Sequence, residues 1–472
     1  MSARVLSRVS LLGLSIAGSF AASLGACDSP ACGVADVQAR LDAASPGAVV
    51  DVGSCTMVGE LRVPAGVTLR GSGAHLTSEA DVSAVVLETV AGSTTVLEGI
   101  AIDSAHLGVE ARGEGDARVS NVTIDFATGV GMVTTASSAT LRDVVVRGTV
   151  DETNRDEGRW LSVTSADAPT HGVVVAAGDV ALERVTIRGT AWVALSAGDA
   201  LVAGGRAPIE LVVTDSTIGH GLGVGVSSSA ETLSMTDTRI EEIWSGVRGW
   251  PSYAALLVDG AVTTSATTIT NADGYGLVEV AGRSEHMGLT VEHVGDVGVW
   301  LGLDVEASLG GTSRIADTGF AGVLAVEAAR LSMDGAEVQG VRSLRRTVGV
   351  SGAIEVGDGI AAIRSPLALR DVSIAGAARA GLVLDAAGGT MPMDLERVSV
   401  SADGAGLGAI QGTVNAGAET LSSAPMAGWD VGITRLGAAV ANDAAFRGSL
   451  SVVLAESPPS TGSALGVVAP MY

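Results

Sequence analysis

Short pieces of the form apolar-x-apolar recur along most of the chain. Marked by its second apolar residue, the series reads Ile102, Ile124, Val146, Ile187, Ile218, Ile240, Ile269, Val291, Ile315, Val338, Ile374 and Val400. Its gaps are 22, 22, 41, 31, 22, 29, 22, 24, 23, 36 and 26 residues. A base period of 22 to 24 with longer intervals indicates one structural unit, repeated, with insertions in some copies.

Two alternating patches lie in each unit. The first is seen in Leu141-Arg-Asp-Val-Val-Val146, Leu182-Glu-Arg-Val-Thr-Ile187 and Leu369-Arg-Asp-Val-Ser-Ile374. The second follows, often behind a glycine, as in Gly172-Val-Val-Val175, Gly223-Val-Gly-Val226, Gly298-Val-Trp-Leu301 and Gly381-Leu-Val-Leu384. Period-two alternation indicates strands with one buried face. Glycine and aspartate at the joins supply the backbone angles of sharp corners. Between units there is no amphipathic helical stretch long enough for a βαβ crossover, and the regular leucine and asparagine positions of a leucine-rich repeat are missing. Each strand therefore pairs with its counterpart one turn away, in a parallel β-helix. The twelve marked turns, stacked at ~4.8 Å, predict a rod of roughly 60 Å.

The ends of such a coil need covering. In Val34-Ala-Asp-Val-Gln-Ala-Arg-Leu-Asp-Ala-Ala44, residues Val34, Val37, Leu41 and Ala44 share one helical face, and Pro46-Gly47 follows as a stop. This helix, then Pro46-Gly-Ala-Val-Val-Asp-Val and Leu61-Arg-Val-Pro-Ala-Gly-Val-Thr-Leu-Arg-Gly-Ser72, resembles the opening of pectin-lyase-like β-helix proteins. The resemblance implies an all-β, single-stranded right-handed parallel β-helix with a short N-terminal capping helix. It implies no single activity, because that superfamily includes lyases, hydrolases, epimerases and proteins without known catalysis. The β-helix with its cap is placed at 34–455, and Pro458-Pro459 opens a loose tail over 456–472.

Composition agrees with a narrow coil. There are 64 glycines, and Phe, Tyr and Trp together number 13, too few to fill a broad globular core. All basic residues are arginine. Residues 1–26 read as a signal peptide, with Arg4 and Arg8 before an apolar stretch, Leu11 to Ala22, too short for a membrane span. It ends in Leu24-Gly25-Ala26-Cys27, which resembles the lipobox of bacterial lipoproteins and implies cleavage before Cys27 and acylation of that cysteine. Residues 27–33 then form the anchor and a short linker. An ordinary signal peptide with a chance cysteine is the alternative. Two or more acyl chains anchor a protein without a spanning helix, so the expected location is the cell envelope. The outer membrane or the periplasmic face of the inner membrane would hold the anchor, with cell-surface display as a variant, and Asp28 resembles an inner-membrane retention signal. Removal of residues 1–26 takes Arg4, Arg8 and no acid, moving the net charge from −24 to −26. Such a surface repels nucleic acid and anionic membranes. Contact with a membrane is thus expected through the lipid alone, and the protein is expected to be a monomer. Cys32 and Cys55 form an even pair in an exported chain, which suggests one disulfide, with two buried thiols as the alternative.

The resemblance implies a long groove lined by acids, basic residues and loops between strands. Polygalacturonase-like enzymes carry Asn-Thr-Asp, Asp-Asp, Gly-His-Gly and Arg-Ile-Lys motifs. Here Gly219-His220-Gly221 stands alone, with no Asp-Asp and no lysine, so the paired carboxylates of an inverting hydrolase have no motif. A glycine-rich chain places Gly-His-Gly at a corner by chance, and no catalytic residue is assigned. The densest acidic run, Asp151-Glu152 with Asp156-Glu157, offers oxygen ligands to Ca²⁺ but follows no calcium-loop pattern, and a solvated loop is the reading taken. Otherwise no cofactor and no metal are expected: the six histidines show no zinc-like pair. Three long insertions, Asp151 to Pro169, Glu241 to Tyr253 and Val341 to Gly357, fall at the same join. They carry Arg155, Arg159 and Trp160; Trp244, Arg248, Trp250 and Tyr253; and Arg342, Arg345 and Arg346. Stacked on one side, they would form the lip of a cleft for sugar rings and carboxylates, or pack on one another. The reading taken is an envelope-anchored, non-catalytic protein that binds polysaccharide or a partner, or serves as a scaffold. A lyase or hydrolase of acidic polysaccharide is the alternative.

Overall fold

A computed structural model describes residues 32–79, 82–126, 128–148, 170–198, 208–245, 251–348, 352–378, 380–402 and 405–421. The chain is a right-handed parallel β-helix, in which every pairing within the main sheet is parallel. All twelve residues of the apolar series stack in register, from Ile102 on Ile124 to Ile374 on Val400. Two more rungs precede them at Met57 and Leu76, which pair with each other and then with Ile102. From Met57 to Ile374 these side chains are at most 1% exposed, and full burial of such an aliphatic group contributes roughly 1.5–3 kcal/mol.

Each rung has three strands, where the sequence pattern suggested two. One turn runs Ala261–Ser265, Thr268–Ala272, Tyr275–Val280 and on to Arg283–Met287 in the next rung. These positions define a first, second and third sheet. The first apolar patch of each repeat is bent in the middle, at a single residue in the left-handed region: Asp143 at φ 54°, Arg184 at 54°, Asp371 at 52°. One such residue turns the chain through the corner without breaking the alternation on either side. That is why the two strands read as one patch.

The helix Val34–Asp42 closes the N-terminal end, with Val37 and Leu41 buried and Val34 and Ala44 packed alongside. Its polar face occupies the free backbone of the first strands. Gln38 Nε2 donates to Arg62 O (3.0 Å), Arg62 N donates to Gln38 Oε1 (2.8 Å), and Arg40 Nη2 donates to Asp51 O (2.5 Å). A sheet edge covered in this way cannot template association. Cys32 and Cys55 are joined in a disulfide, 23 residues apart in sequence, which ties the segment before the helix to the first rung.

Over its middle rungs the third sheet is buried on both faces. Leu277, Val299 and Val323 point into the coil, while Val278, Trp300 and Leu324 stack on the outside in a second apolar cluster. Of the seven described aromatic residues, only Phe126 belongs to the coil interior. Trp192, Trp244, Tyr253, Tyr275, Trp300 and Phe320 lie outside it. A coil this narrow takes branched aliphatics, so the bulky rings are displaced to its outer surface.

Candidate functional site

The three insertions leave from equivalent corners. The first lies between Val145–Arg147 and His171–Val175, the second between Arg239–Trp244 and Tyr253–Val258, and the third between Glu337–Gln339 and Asp358–Ile363. In each case the chain leaves the second sheet and rejoins the third, and the flanking strands stack through the rungs between them.

Along that same edge the second sheet carries one left-handed residue per rung. His220 (φ 48°), Glu242 (54°), Asn271 (57°), His293 (55°) and Asp317 (54°) occupy five successive rungs. Each lies two residues after its buried marker, and Gly189, Gly340 and Gly376 hold the equivalent position in other rungs. Asn, Asp and His tolerate this region better than most side chains, and there a side chain swings out of the strand's alternation. The result is a polar row beside the insertions.

Its lower end is the most concentrated. His220 Nε2 lies 3.3 Å from Glu241 Oε1, and His220 Nδ1 lies 3.0 Å from Glu242 Oε2. Arg239 pairs with Glu241 through Nε, and Trp244 meets the imidazole edge-on at 6.4 Å. His220, Glu241 and Glu242 are 27%, 17% and 28% exposed, so the group is reachable from solvent. Further along, His293 Nε2 is 3.4 Å from Asp317 Oδ2, and Arg342 Nε is 3.1 Å from Asp317 Oδ1. Parallel to the row run Arg147 paired with Asp125 and Arg314 paired with Glu292. A face of alternating charges, already paired with one another, presents many hydrogen-bonding groups at rung spacing. That suits a hydroxyl-rich linear ligand.

The residues expected in the insertions are placed as follows. Arg342 stands at the root of the third insertion, on the polar row. Trp244 and Tyr253 were expected in a loop, and this is corrected: Trp244 ends a strand and is 3% exposed, Tyr253 begins one and is fully buried. Tyr253 stacks on Tyr275 at 5.3 Å, and Trp244 packs with Leu222, because the join between second and third sheets is where large rings fit outside the coil. Arg155, Arg159, Trp160, Arg248 and Trp250 lie outside the described residues, as do the side chains of Arg345 and Arg346, the acidic run at 151–157, Cys27 and the segments 1–31 and 422–472. Glu241, Glu242, Asn271, His293 and Asp317 belong to no sequence motif. For the last four the signal was the constant offset of two from the apolar marker, and Glu241 stands one residue after Ile240. Among the described residues no group of three or more His, Cys, Asp or Glu side chains has metal-binding geometry, and no helix is long and apolar enough to cross a membrane.

No protein-family model matches the chain, and no curated protein matches it. Three solved structures illustrate what it is similar to. The A-module of Azotobacter vinelandii mannuronan C-5 epimerase AlgE4 is 16% identical, with 81% of this chain and 90% of that chain covered and a TM-score of 0.32. A PL6 alginate lyase in complex with a trisaccharide is 10% identical, with 79% and 82% covered and a TM-score of 0.39. Tailspike protein 3 of bacteriophage CBA120 is 12% identical, with 72% and 54% covered and a TM-score of 0.40. At this distance the likenesses carry no argument about activity.

Proposed function

We propose that this is an envelope-anchored member of the pectin-lyase-like superfamily that binds polysaccharide along the outer face of its second sheet and holds it without cleaving it. The observation that carries the reading is the row His220, Glu242, Asn271, His293 and Asp317, set on the one edge from which all three insertions depart. Rungs ~4.8 Å apart are close to the length of a sugar unit, so a chain laid along the row meets a fresh polar group at each step. The acylated Cys27 would hold the protein at the membrane, and a mature charge of −26 keeps the coil itself away from anionic lipid.

The test is a panel of acidic and neutral polysaccharides, with and without Ca²⁺, assayed for retention on the full-length protein and for new reducing ends and unsaturated uronates. Retention without cleavage is the expected result. His293→Ala with Asp317→Ala should weaken it about tenfold or more. Retention equal to that of the unaltered protein would remove the polar row from the reading.

A second reading is supported by one specific observation: a solvent-reachable imidazole held between two carboxylates beside an arginine. If any polysaccharide is cut, His220→Ala is expected to abolish turnover, a loss far larger than the fall in retention that removing one group of the row brings, and the activity is a lyase or glycoside hydrolase.

A further inference from the structure

Arginine is the only basic residue type of this chain apart from histidine, and acids outnumber it by 52 to 28. The arginines along the second sheet accordingly find an acid: Arg147 holds Asp125, Arg239 holds Glu241, Arg314 holds Glu292 and Arg342 holds Asp317. Arg188 is the exception. It ends the strand Thr186–Arg188 with its side chain exposed, and among the described residues it makes no hydrogen bond and no ion pair. Its ladder partners are Arg147 on one side and Gly219 on the other, a like charge and a position with no side chain. Arg147 is already engaged, with Nε and Nη2 on the two oxygens of Asp125 (2.6 and 3.1 Å). Arg330, on the first sheet, also lacks a close partner, but Glu306 lies beside it across the ladder.

The position beside Arg188 is bare for a reason in the backbone. A Cβ at Gly219 would lie 1.8 Å from Glu241 O, so only glycine fits there. Past this gap stand His220, next in the chain, and Glu241 and Glu242 one rung further on. Both carboxylates are engaged, Glu241 by Arg239 and both by the His220 imidazole. Thr186 and Thr217 lie two residues before Arg188 and Gly219 and pair with each other across the same two rungs, so their hydroxyls flank the gap. From Arg188 to Glu241 is two rungs, roughly 10 Å, which is room for one sugar ring with the guanidinium at its edge. A guanidinium without an internal partner can take an incoming carboxylate in a bidentate pair, and no existing pair has to break first.

We propose that Arg188 receives the carboxylate of an acidic sugar whose ring lies over Gly219, which makes uronate-bearing polysaccharide the ligand class of the polar row. The proposal rests on the reading that this face binds polysaccharide, and it adds the charge of the ligand and its register. The charged groups further along the row are paired with one another, so they offer hydrogen bonds to any sugar and discriminate little between charged and neutral ones. A protein of net charge −24 repels an acidic polymer at long range, and an arginine free of internal acids is the local feature that admits one. The carboxylate is thereby fixed one rung before His220, with the following sugars laid toward Asn271, His293 and Asp317.

The test measures binding of an oligogalacturonate hexamer and of cellohexaose to the full-length protein, unaltered and as Arg188→Gln, Arg188→Lys and, for control, Arg330→Gln. Both arginines are exposed, so the variants should melt as the unaltered protein does. The oligogalacturonate should bind the unaltered protein more tightly than cellohexaose. Arg188→Gln should weaken the oligogalacturonate about tenfold or more, as expected for a lost hydrogen bond between charged groups, and leave cellohexaose unchanged. Arg188→Lys keeps the charge without the fork and should fall between. Arg330→Gln should change neither. Oligogalacturonate binding by Arg188→Gln equal to that of the unaltered protein overturns the proposal, and so does an equal loss in Arg330→Gln, which would make the effect one of net charge. Cellohexaose bound as tightly as oligogalacturonate overturns it too. These outcomes sink this inference alone if His293→Ala with Asp317→Ala still weakens retention, whereas an unaltered protein that binds neither probe would sink the reading beneath it.

Discussion

At the scale of single residues, the same amino acid does different work depending on which way its strand position faces. His286 is inside the coil, fully buried, with Nε2 at 2.9 Å from Glu279 Oε1 and Nδ1 at 2.9 Å from Thr264 Oγ1, while Ser284 Oγ donates to the other carboxylate oxygen at 2.5 Å. With Nε2 donating to the carboxylate, Nδ1 accepts from the threonine, and the network is closed. Removing one partner of a buried pair leaves the other uncompensated, so Glu279→Leu and His286→Leu should each cost about 3–5 kcal/mol, and the double variant should recover most of that. Urea unfolding of the four proteins measures the cycle; additive losses would mean that the pair is not coupled.

His171 behaves otherwise, because burial alone pushes it down to about 4 from an ordinary 6.5. Its neutral form is the one the fold accepts. Stability from this residue is therefore complete above about pH 6.5 and is lost as pH falls toward 4, by at most ~3 kcal/mol. His171→Leu should flatten that part of the stability profile between pH 7.5 and 4.5. None of these roles was legible in the sequence, where six histidines looked scattered. Burial of one ring and pairing of another depend on strands that lie a full turn apart.

At the scale of the element, the repeated rung separates large contributions from small ones. Arg184 donates to Asp143 through Nε (2.7 Å) and Nη2 (3.0 Å), and Arg397 binds Asp371 in the same bidentate way, each pair linking the left-handed corners of successive rungs. These arginines hold the two aspartates below the usual carboxylate range. The pairs are 39–51% exposed, however, and water screens most of what they could contribute. An interior marker contributes more. Ile240→Ala is expected to cost about 2–5 kcal/mol and Asp371→Ala far less, by denaturant unfolding; similar losses would contradict the view that turn-on-turn packing dominates. The element scale was also the most readable from sequence. Every marker from Ile102 to Val400 stacks as its periodicity implied, while the corner inside each first patch was invisible, because one left-handed residue such as Asp143 leaves the alternation intact.

At the scale of the whole molecule, each rung packs chiefly on its neighbours, and stability accumulates along one axis. The end that begins this axis is closed by the helix Val34–Asp42 and the Cys32–Cys55 bond. Cys55→Ser should therefore cost about 2–4 kcal/mol and expose the strands at Asp51 and Arg62 to exchange before the rest of the coil; uniform exchange would show that this end does not act as a cap. The proposed lipid anchor belongs to this scale as well. Cys27→Ser is expected to move the protein from the membrane fraction to the soluble one, and unchanged membrane association would refute the lipid anchor.

The sequence alone determined the coil, its period, its capping helix and the shared join of its insertions. All of these follow from local periodicity or from pairing one turn away, and a repeat writes both into the chain. Only the tertiary structure decided which polar residues meet. Stacking brought His220 to Glu241 and Glu242, and His293 to Asp317, across gaps of 21 to 24 residues in sequence. The same stacking turned Trp244 and Tyr253 from supposed loop residues into buried ones. A side chain's partner in a β-helix is set by register and by the one residue per rung that leaves the alternation, and no motif along a single strand contains that information.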